Sequence, residues 1–410
     1  VAKSGHLRRK ERKQFFFEKK NQKTFDLLVG RDAPPARAIE SNSFLVLFFK
    51  KELLPLRSHR QDAVLDLTLS AIVDVGAFAA RWRALQAEAC PGPFLTWHFV
   101  GCDLALRYAA PHALAVRENG RDVALGLLNR AGGKWYLQTT GDRRLDAIFP
   151  EHNALLARPG ANGAVLAALR FLARHGPVVV SGVDDEFFAA ARRTGIVTHH
   201  HPRFAPAIDL GGIRGDYLDG RSANTRAQIR RAMRLAGRGL AIHRAATPAI
   251  ALDWFADMVA LHTASWQARG GTGAFADAAV RGFYEALIRG DDGACIADLL
   301  RVTAGGETLG IMYNLRHGGH VCCYQSGFRP ARDARDKPGL VCHALAIDLY
   351  RSEGEIRYDL LAGAERYKVS LASGGQTLHW FTLHPPDAVG ARVRRLAEQV
   401  TARVRRGRLR

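Results

Sequence analysis

The hydrophobic pattern of this chain changes character at about Asp74. From there on, apolar residues recur at helical or alternating spacing, broken by Asn-Gly and Gly-Gly pairs that read as tight turns. "VGAFAARWRALQAEA" and "PFLTWHFVGCDLALRY" carry the helical period, the second opening on Pro93. Three strand-like runs follow, "ALAVRENG", "DVALGLLNR" and "KWYLQTTG". Next come a helix over 161–175, the run "PVVVSG", a helix near 185–194 and the strand "APAIDL". The second half repeats this order. "CIADLLRVTAGG", "TLGIMYNLRHGG" and "HVCCYQSGF" predict three strands, then a helix over 340–353, the strand "IRYDLLAG", a short helix at 365–372 and the strand "TLHWFTLH".

The repetition holds at the level of residues. Residues 113–141 lie over 299–327 at a constant offset of 186, with identities that include Leu114/Leu300, Val116/Val302 and Gly120/Gly306. Beyond them "RPGANGAVLAALRFLARHG" parallels "KPGLVCHALAIDLYRSEG". Internal duplication of an α/β unit is the expectation, with halves over 74–210 and 211–385. Between the repeats, Ser222 predicts an N-cap and Gly237 or Gly239 a stop. The helix so bounded gathers Arg226, Arg230, Arg231 and Arg234 on one face, which is either a solvated surface or an anion-binding one. A further helix runs from Thr247-Pro248 through Trp266, with Ala251, Trp254, Phe255, Met258 and His262 as a core stripe.

Charge changes the picture at the ends. The net charge is +20, and residues 1–60 hold fifteen Lys or Arg against six acids, without the Ala/Gly richness found elsewhere. That segment reads as a separate basic, disordered tail. Residues 386–410, with "RVRRLAEQVTARVRRGRLR", read as a basic helix that is either solvated or a weak contact for a polyanion such as tRNA. No run of about 18 apolar residues predicts a membrane span. The six cysteines lack CxxC pairing and read as thiols in a reducing cytoplasm, with vicinal Cys322 and Cys323 packed in a strand. His199-His200-His201 reads as a polar loop rather than a metal site, because neighbouring positions point apart. Neither a GxSxG elbow nor a Walker loop is present. Oligomeric state is not legible.

The stretch "RDKPGLVCHALAIDLYRSEG" carries candidate chemistry. Pro338-Gly339 opens an apolar helix near Leu340 whose first-turn N–H groups are free, and Arg329, Arg332, Arg335 and Lys337 precede it. Free amides, helix dipole and cations all favour a diphosphate there, although a plain turn with a solvated basic loop has the same signature.

The order of strands, phosphate loop, helix, strand, short helix and strand resembles that of GNAT-superfamily acetyltransferases. "DYLDGRSANTRAQIRRAMR", "SGFRP…KPGLVCHALAI" and "YDLLAGAERYKVSLA" resemble the cellulose-biosynthesis-associated branch, itself similar to Fem-type aminoacyl transferases with tandem GNAT-like domains. The resemblance covers roughly residues 74–385. It implies two tandem GNAT-like α/β domains, each a mixed, mostly antiparallel sheet flanked by helices. It also implies acyl transfer from acyl-CoA, acetyl-CoA first, to an amine or hydroxyl of a small molecule or cell-envelope precursor. The superfamily's Gln/Arg-x-x-Gly-x-Gly/Ala loop is replaced by "RPARDARDKPG", which leaves the donor open between acyl-CoA and aminoacyl-tRNA. A non-catalytic nucleic-acid-binding protein is the third class.

Under this resemblance Arg335, Lys337, Pro338, Gly339 and Leu340 hold the diphosphate, and backbone groups of Tyr324, Gln325 and Ser326 face the oxyanion and pantetheine arm. Tyr367 is the expected acid. Asp359 is a base or a structural carboxylate, and Glu365 is the alternative base. Lys368 and Arg226 are candidate substrate contacts. No metal is expected. Only the second half pairs Tyr367 with Lys368 and has the basic loop, so it is expected to bind the donor.

Overall fold

The computed structural model describes residues 64–290 and 295–407, with side chains through Thr401. The proposed tail over 1–60 lies outside the described residues. The first half contains β1 (Leu65–Ala71), α1 (Val75–Ala89), α2 (Trp97–Arg107), β2 (Pro111–Glu118), β3 (Arg121–Ala131), β4 (Lys134–Leu137) and β5 (Leu156–Ala157). It ends with α3 (Asn162–Arg174), β6 (Val178–Val183), α4 (Asp185–Thr194) and β7 (Ile196–Asp209). The second half begins with α5 (Ala223–Ala236), β8 (Ala241–Arg244), α6 (Pro248–Gln267), α7 (Ala278–Arg289), β9 (Ala297–Ala304), β10 (Glu307–His317) and β11 (His320–Phe328). It continues with α8 (Pro338–Ser352), β12 (Arg357–Asp359), α9 (Arg366–Leu371), β13 (Gly374–His384) and α10 (Val389–Gly407).

The duplication is visible in the strand bounds. β2 and β9 begin and end 186 residues apart, as do β3 and β10. Their hairpins turn on Asn119-Gly120, Gly132-Gly133, Gly305-Gly306 and Gly318-Gly319, all at positive φ, as two-residue hairpin loops of matching twist require. In each half a helix then leads to a strand parallel to the third, β6 beside β4 and β12 beside β11; the other ladders are antiparallel.

The thirteen strands of the described residues form one sheet, in the order β1-β2-β3-β4-β6-β13-β7-β12-β11-β10-β9-β8 with β5 on β3. The halves therefore interleave: β13 of the second lies between β6 and β7 of the first, and β7 pairs with β12. This mixed, mostly antiparallel sheet is flanked by helices on both faces. Around β9–β11, alternating side chains pack α5 and α8 on one face and α6 and α7 on the other. Around β3, α3 and α4 cover one face while α1 and α2 cover the other.

Local signals mostly fold as expected. Ser222 caps α5 by accepting from the Thr225 N–H, Thr247 caps α6 and Asp184 caps α4. Three expectations are corrected. A full strand, β1, precedes Asp74 and pairs with β2 along its length. The three histidines do not form a loop: they lie within β7, where His200 bonds and stacks against His379. "PFLTWHFVGCDLALRY" breaks after a short 3-10 turn, and α2 starts afresh with Thr96 as its cap.

Candidate active site

The ladder between β11 and β12 is short. It joins His320–Cys322 to Arg357–Asp359 and then stops, while β11 runs on to Phe328. Two local features force the divergence. In β11, Tyr324 is an extra residue opposite β10, since Cys323 faces Asn314 and Gln325 faces Tyr313. After β12, Leu361 adopts φ 59°, and Leu360 donates its N–H to Pro206 on β7. The strands splay, and the far end of β11 borders a cavity of about 440 Å³.

That cavity is built where the first turn of α8 meets the splay. Pro338, Gly339 and Leu340 line it together with Gln325, Ser326, Lys337 and Tyr367. Pro338 occupies the first turn, and Lys337 at the N-cap makes no capping bond through its side chain, so the early amides of α8 remain available. Gly339 lies close under Phe328: a Cβ there would sit 3.3 Å from the ring, which would have to give by a few tenths of an ångström.

The basic loop is less free than its sequence implies. Arg329 pairs with Asp336 at 2.8 Å, Arg332 with Glu307 at 2.7 Å, and Arg335 with Asp333 at 3.0 Å. Among the described residues Lys337 has no ion-pair partner. A second cavity, about 630 Å³, adjoins the first through Lys337, Leu340 and Tyr367. Its lining, from α5, the loop and α9, includes Arg231, Arg335, Lys337 and Arg366 but no carboxylate. Such a cavity favours a multiply charged anion.

Two ionisable side chains stand together here, Tyr367 at the junction and His343 in the first cavity. Partial burial, with Cys323 and Glu365 nearby, raises the Tyr367 phenol above its usual range, so it stays protonated. Its ring stacks on His343, centroids 5.7 Å apart. His343 is buried on α8 with Nδ1 3.0 Å from the Tyr358 hydroxyl, while its Nε2 has no hydrogen-bond partner among the described residues. Burial, with the Lys368 charge adding to it, pushes the imidazole down to about 4, so it is neutral at physiological pH.

The remaining expected residues lie outside the lining of both cavities. Asp359 faces the seam between the halves, accepting from Arg357 at 2.9 Å and from the Leu361 N–H at 2.7 Å, with His152 Nε2 at 3.1 Å. Those partners hold its carboxyl below the ordinary range despite burial. Beside it, buried Glu151 accepts from the Ala362 N–H and is raised by desolvation. Glu365 is exposed at the N-cap of α9, 3.6 Å from Lys368, whose ammonium also donates to the Leu361 and Ala362 carbonyls. The Tyr324 side chain is buried, stacks on Tyr284 and donates to the Phe149 carbonyl. Arg226 is bound to the Arg221 carbonyl.

Sequence reasoning missed His343, Arg366 and the pair Trp266 and Arg269, which lines the first cavity opposite α8. His343 alone left a signal, as a lone ionisable residue within the apolar run Leu340–Ile347.

Residues 223–369 match the family model described as acetyltransferase (GNAT) domain, a span that runs from α5 into α9 and contains the whole lining of the first cavity and all of the second's except Ser370. No curated protein matches the chain. Among solved structures, it is similar to the C-terminal domain of a putative lysylphosphatidylglycerol synthetase from Agrobacterium fabrum. That similarity has 12% identity and TM-score 0.46, covering 79% of this chain and 95% of that one. It is also similar to FemX, at 11% identity and TM-score 0.47, over 73% of this chain and 95% of that one. A tandem GNAT protein from the clavulanic acid biosynthesis pathway has 15% identity and TM-score 0.42, over 78% of this chain and 100% of that one.

Proposed function

We propose that the chain is a cytoplasmic acyltransferase. It moves an acyl group, acetyl in the simplest case, from acyl-CoA to an amine or hydroxyl of a small molecule or cell-envelope precursor. The observation that carries this reading is the meeting of three parts at one cavity: the splayed end of β11, the open first turn of α8 and the Tyr367 phenol. The GNAT family match over the same residues supports it. The finer assignment, to the cellulose-biosynthesis-associated branch, rests on the sequence segments that resemble that branch. The second half is the donor-binding half in this reading, and the first shapes the acceptor side.

Acyl-CoA fits the residues present. The amides of Gly339 and Leu340 with Lys337 receive a diphosphate, and Arg231 and Arg366 receive the further charge of the nucleotide end. The bound thioester supplies an activated acyl carbon and a thiolate leaving group. β11 amides between Cys323 and Ser326, left without a β12 partner, stabilise the developing oxyanion. Tyr367 delivers its proton to the leaving sulfur. His343 takes the nucleophile's proton, directly or through water. A base of pKa about 4 does not strip an ammonium, so the acceptor enters uncharged and becomes acidic only as its bond to carbon forms.

Calorimetry tests the donor site. Lys337→Glu with Arg366→Glu is expected to weaken CoA binding about a hundredfold, roughly tenfold per inverted charge. Unchanged affinity rejects the assignment. A second reading, transfer from aminoacyl-tRNA, draws on the exposed Arg231 and Arg234 of α5. Steeply salt-dependent tRNA binding without CoA binding would establish it instead.

A further inference from the structure

α10 is packed the wrong way round for an ordinary surface helix. The residues that meet the body are Ala391, which is buried, and Arg394 and Glu398, which bond His199 of β7. At about 100° per residue these positions share one side of the helix. Val389, Val393, Leu396 and Val400 fall within about 60° of one another on the opposite side. They are 71%, 62%, 62% and 60% exposed. A helix stabilised by tertiary packing turns its apolar stripe inward; this one turns its polar side inward and leaves the stripe to solvent.

The flanks of the stripe say what covers it. Arg392, exposed, lies about 40° from one edge of it, Arg395 stands exposed between that flank and the inward side, and the only acid of α10, Glu398, is turned to β7. The sequence continues with Arg403, Arg405, Arg406, Arg408 and Arg410. A second copy of the chain would bring these arginines against their equals. The stripe also amounts to about 400 Å², half of the roughly 800 Å² per partner that a stable dimer buries. An apolar ridge of four aliphatic side chains with cations along one flank and in the sequence that follows instead matches the headgroup boundary of a negatively charged bilayer.

We infer that α10 is a docking helix for anionic membrane surfaces, lying in the interface plane with Val389, Val393, Leu396 and Val400 inserted. It would bring the enzyme to the membrane without crossing it, and among the described residues no helix is long and apolar enough to cross. This inference does not depend on the acyl-transfer reading.

Co-sedimentation of the full chain with vesicles tests it, using phosphatidylglycerol–phosphatidylcholine mixtures against pure phosphatidylcholine. Binding is expected to the anionic vesicles only, to fade at high salt, and to drop at least tenfold in the Val393→Asp/Leu396→Asp variant. Leu396→Trp gives a second readout, a blue shift of the added emission on anionic vesicles. Absence of binding, retention of full binding by the double variant, or an unshifted emission from the Leu396→Trp variant would each overturn the inference. So would a lipid-free dimer that the double variant abolishes, since the stripe would then belong to a second copy.

Discussion

At the scale of single residues, the proposed mechanism turns on Tyr367 and His343, which stack on each other but differ in burial and in their other contacts. Tyr367 is two-fifths exposed at the junction of the two cavities, which is where the proposed reaction needs its leaving sulfur. Tyr367→Phe keeps the ring and removes the proton; kcat should fall about a hundredfold while the Kd for CoA stays put. Loss of CoA affinity on that substitution would instead make Tyr367 a binding residue. His343 makes a prediction about stability. Its native pKa, about 4, lies below its unfolded value of about 6.5, so between those pH values the unfolded chain binds the extra proton. Stability from this residue is present above pH 6.5 and is lost as pH falls toward 4, by about 3 kcal/mol in all. Buried Asp103, pushed up to about 6 by desolvation, has the opposite sign, so the whole-protein curve mixes the two. The clean readout is the difference between wild type and His343→Gln in denaturant melts at pH 7 and pH 4.5. That difference should shrink as pH falls, and a constant gap would show that His343 does not titrate as its burial demands.

At the scale of elements, glycines set how closely helices approach the splayed strand. A Cβ on Gly327 would come within 2.4 Å of the Met258 carbonyl and 3.0 Å of Leu261 on α6, both parts of a packed helix. Gly327→Ala must therefore push α6 away from β11, moving Trp266 and Arg269 with it. The expected cost is about 2–3 kcal/mol, seen as a lower urea midpoint, and a KM for the acceptor that rises more than that for CoA. Equal changes in both would place α6 away from the acceptor. Much of this level was legible beforehand. The constant offset of 186, the hairpin glycines and the Pro-Gly helix start are local signals, and each appears where the spacing put it. The loop arginines were misjudged for a physical reason. Their partners include Glu307, 25 residues away on β10, so a count of cations along the chain overstated the charge left for a ligand.

At the scale of the whole molecule, the two halves do not close on themselves, and this was hidden from the sequence because strand exchange leaves every local pattern intact. β13 has both of its neighbours, β6 and β7, in the first half, and its ladder with β7 runs to ten residue pairs. Cys322 and Asp359 are register partners in the second half, yet the Asp359 carboxylate is held in part by His152 of the first. The end of β12, and with it the splay, is thus fastened across the seam through Glu151, His152 and Ala362. Residues 211–410 made alone would leave β13 unpaired on both edges and Glu151's partner amide bare, which exposes long strand edges to aggregation. That segment should be insoluble or unfolded and should recover structure only when refolded together with residues 60–210. Residues 60–410 form one compact unit, so unfolding of the full chain should pass this unit through a single transition. Tryptophan emission, which reports from Trp82, Trp97 and Trp135 in the first half, from Trp254 and Trp266 in the second and from Trp380 on the exchanged strand β13, should then coincide with far-UV circular dichroism. Two resolved transitions would mean that the exchange of β7 and β13 contributes little, and that each half carries its own stability.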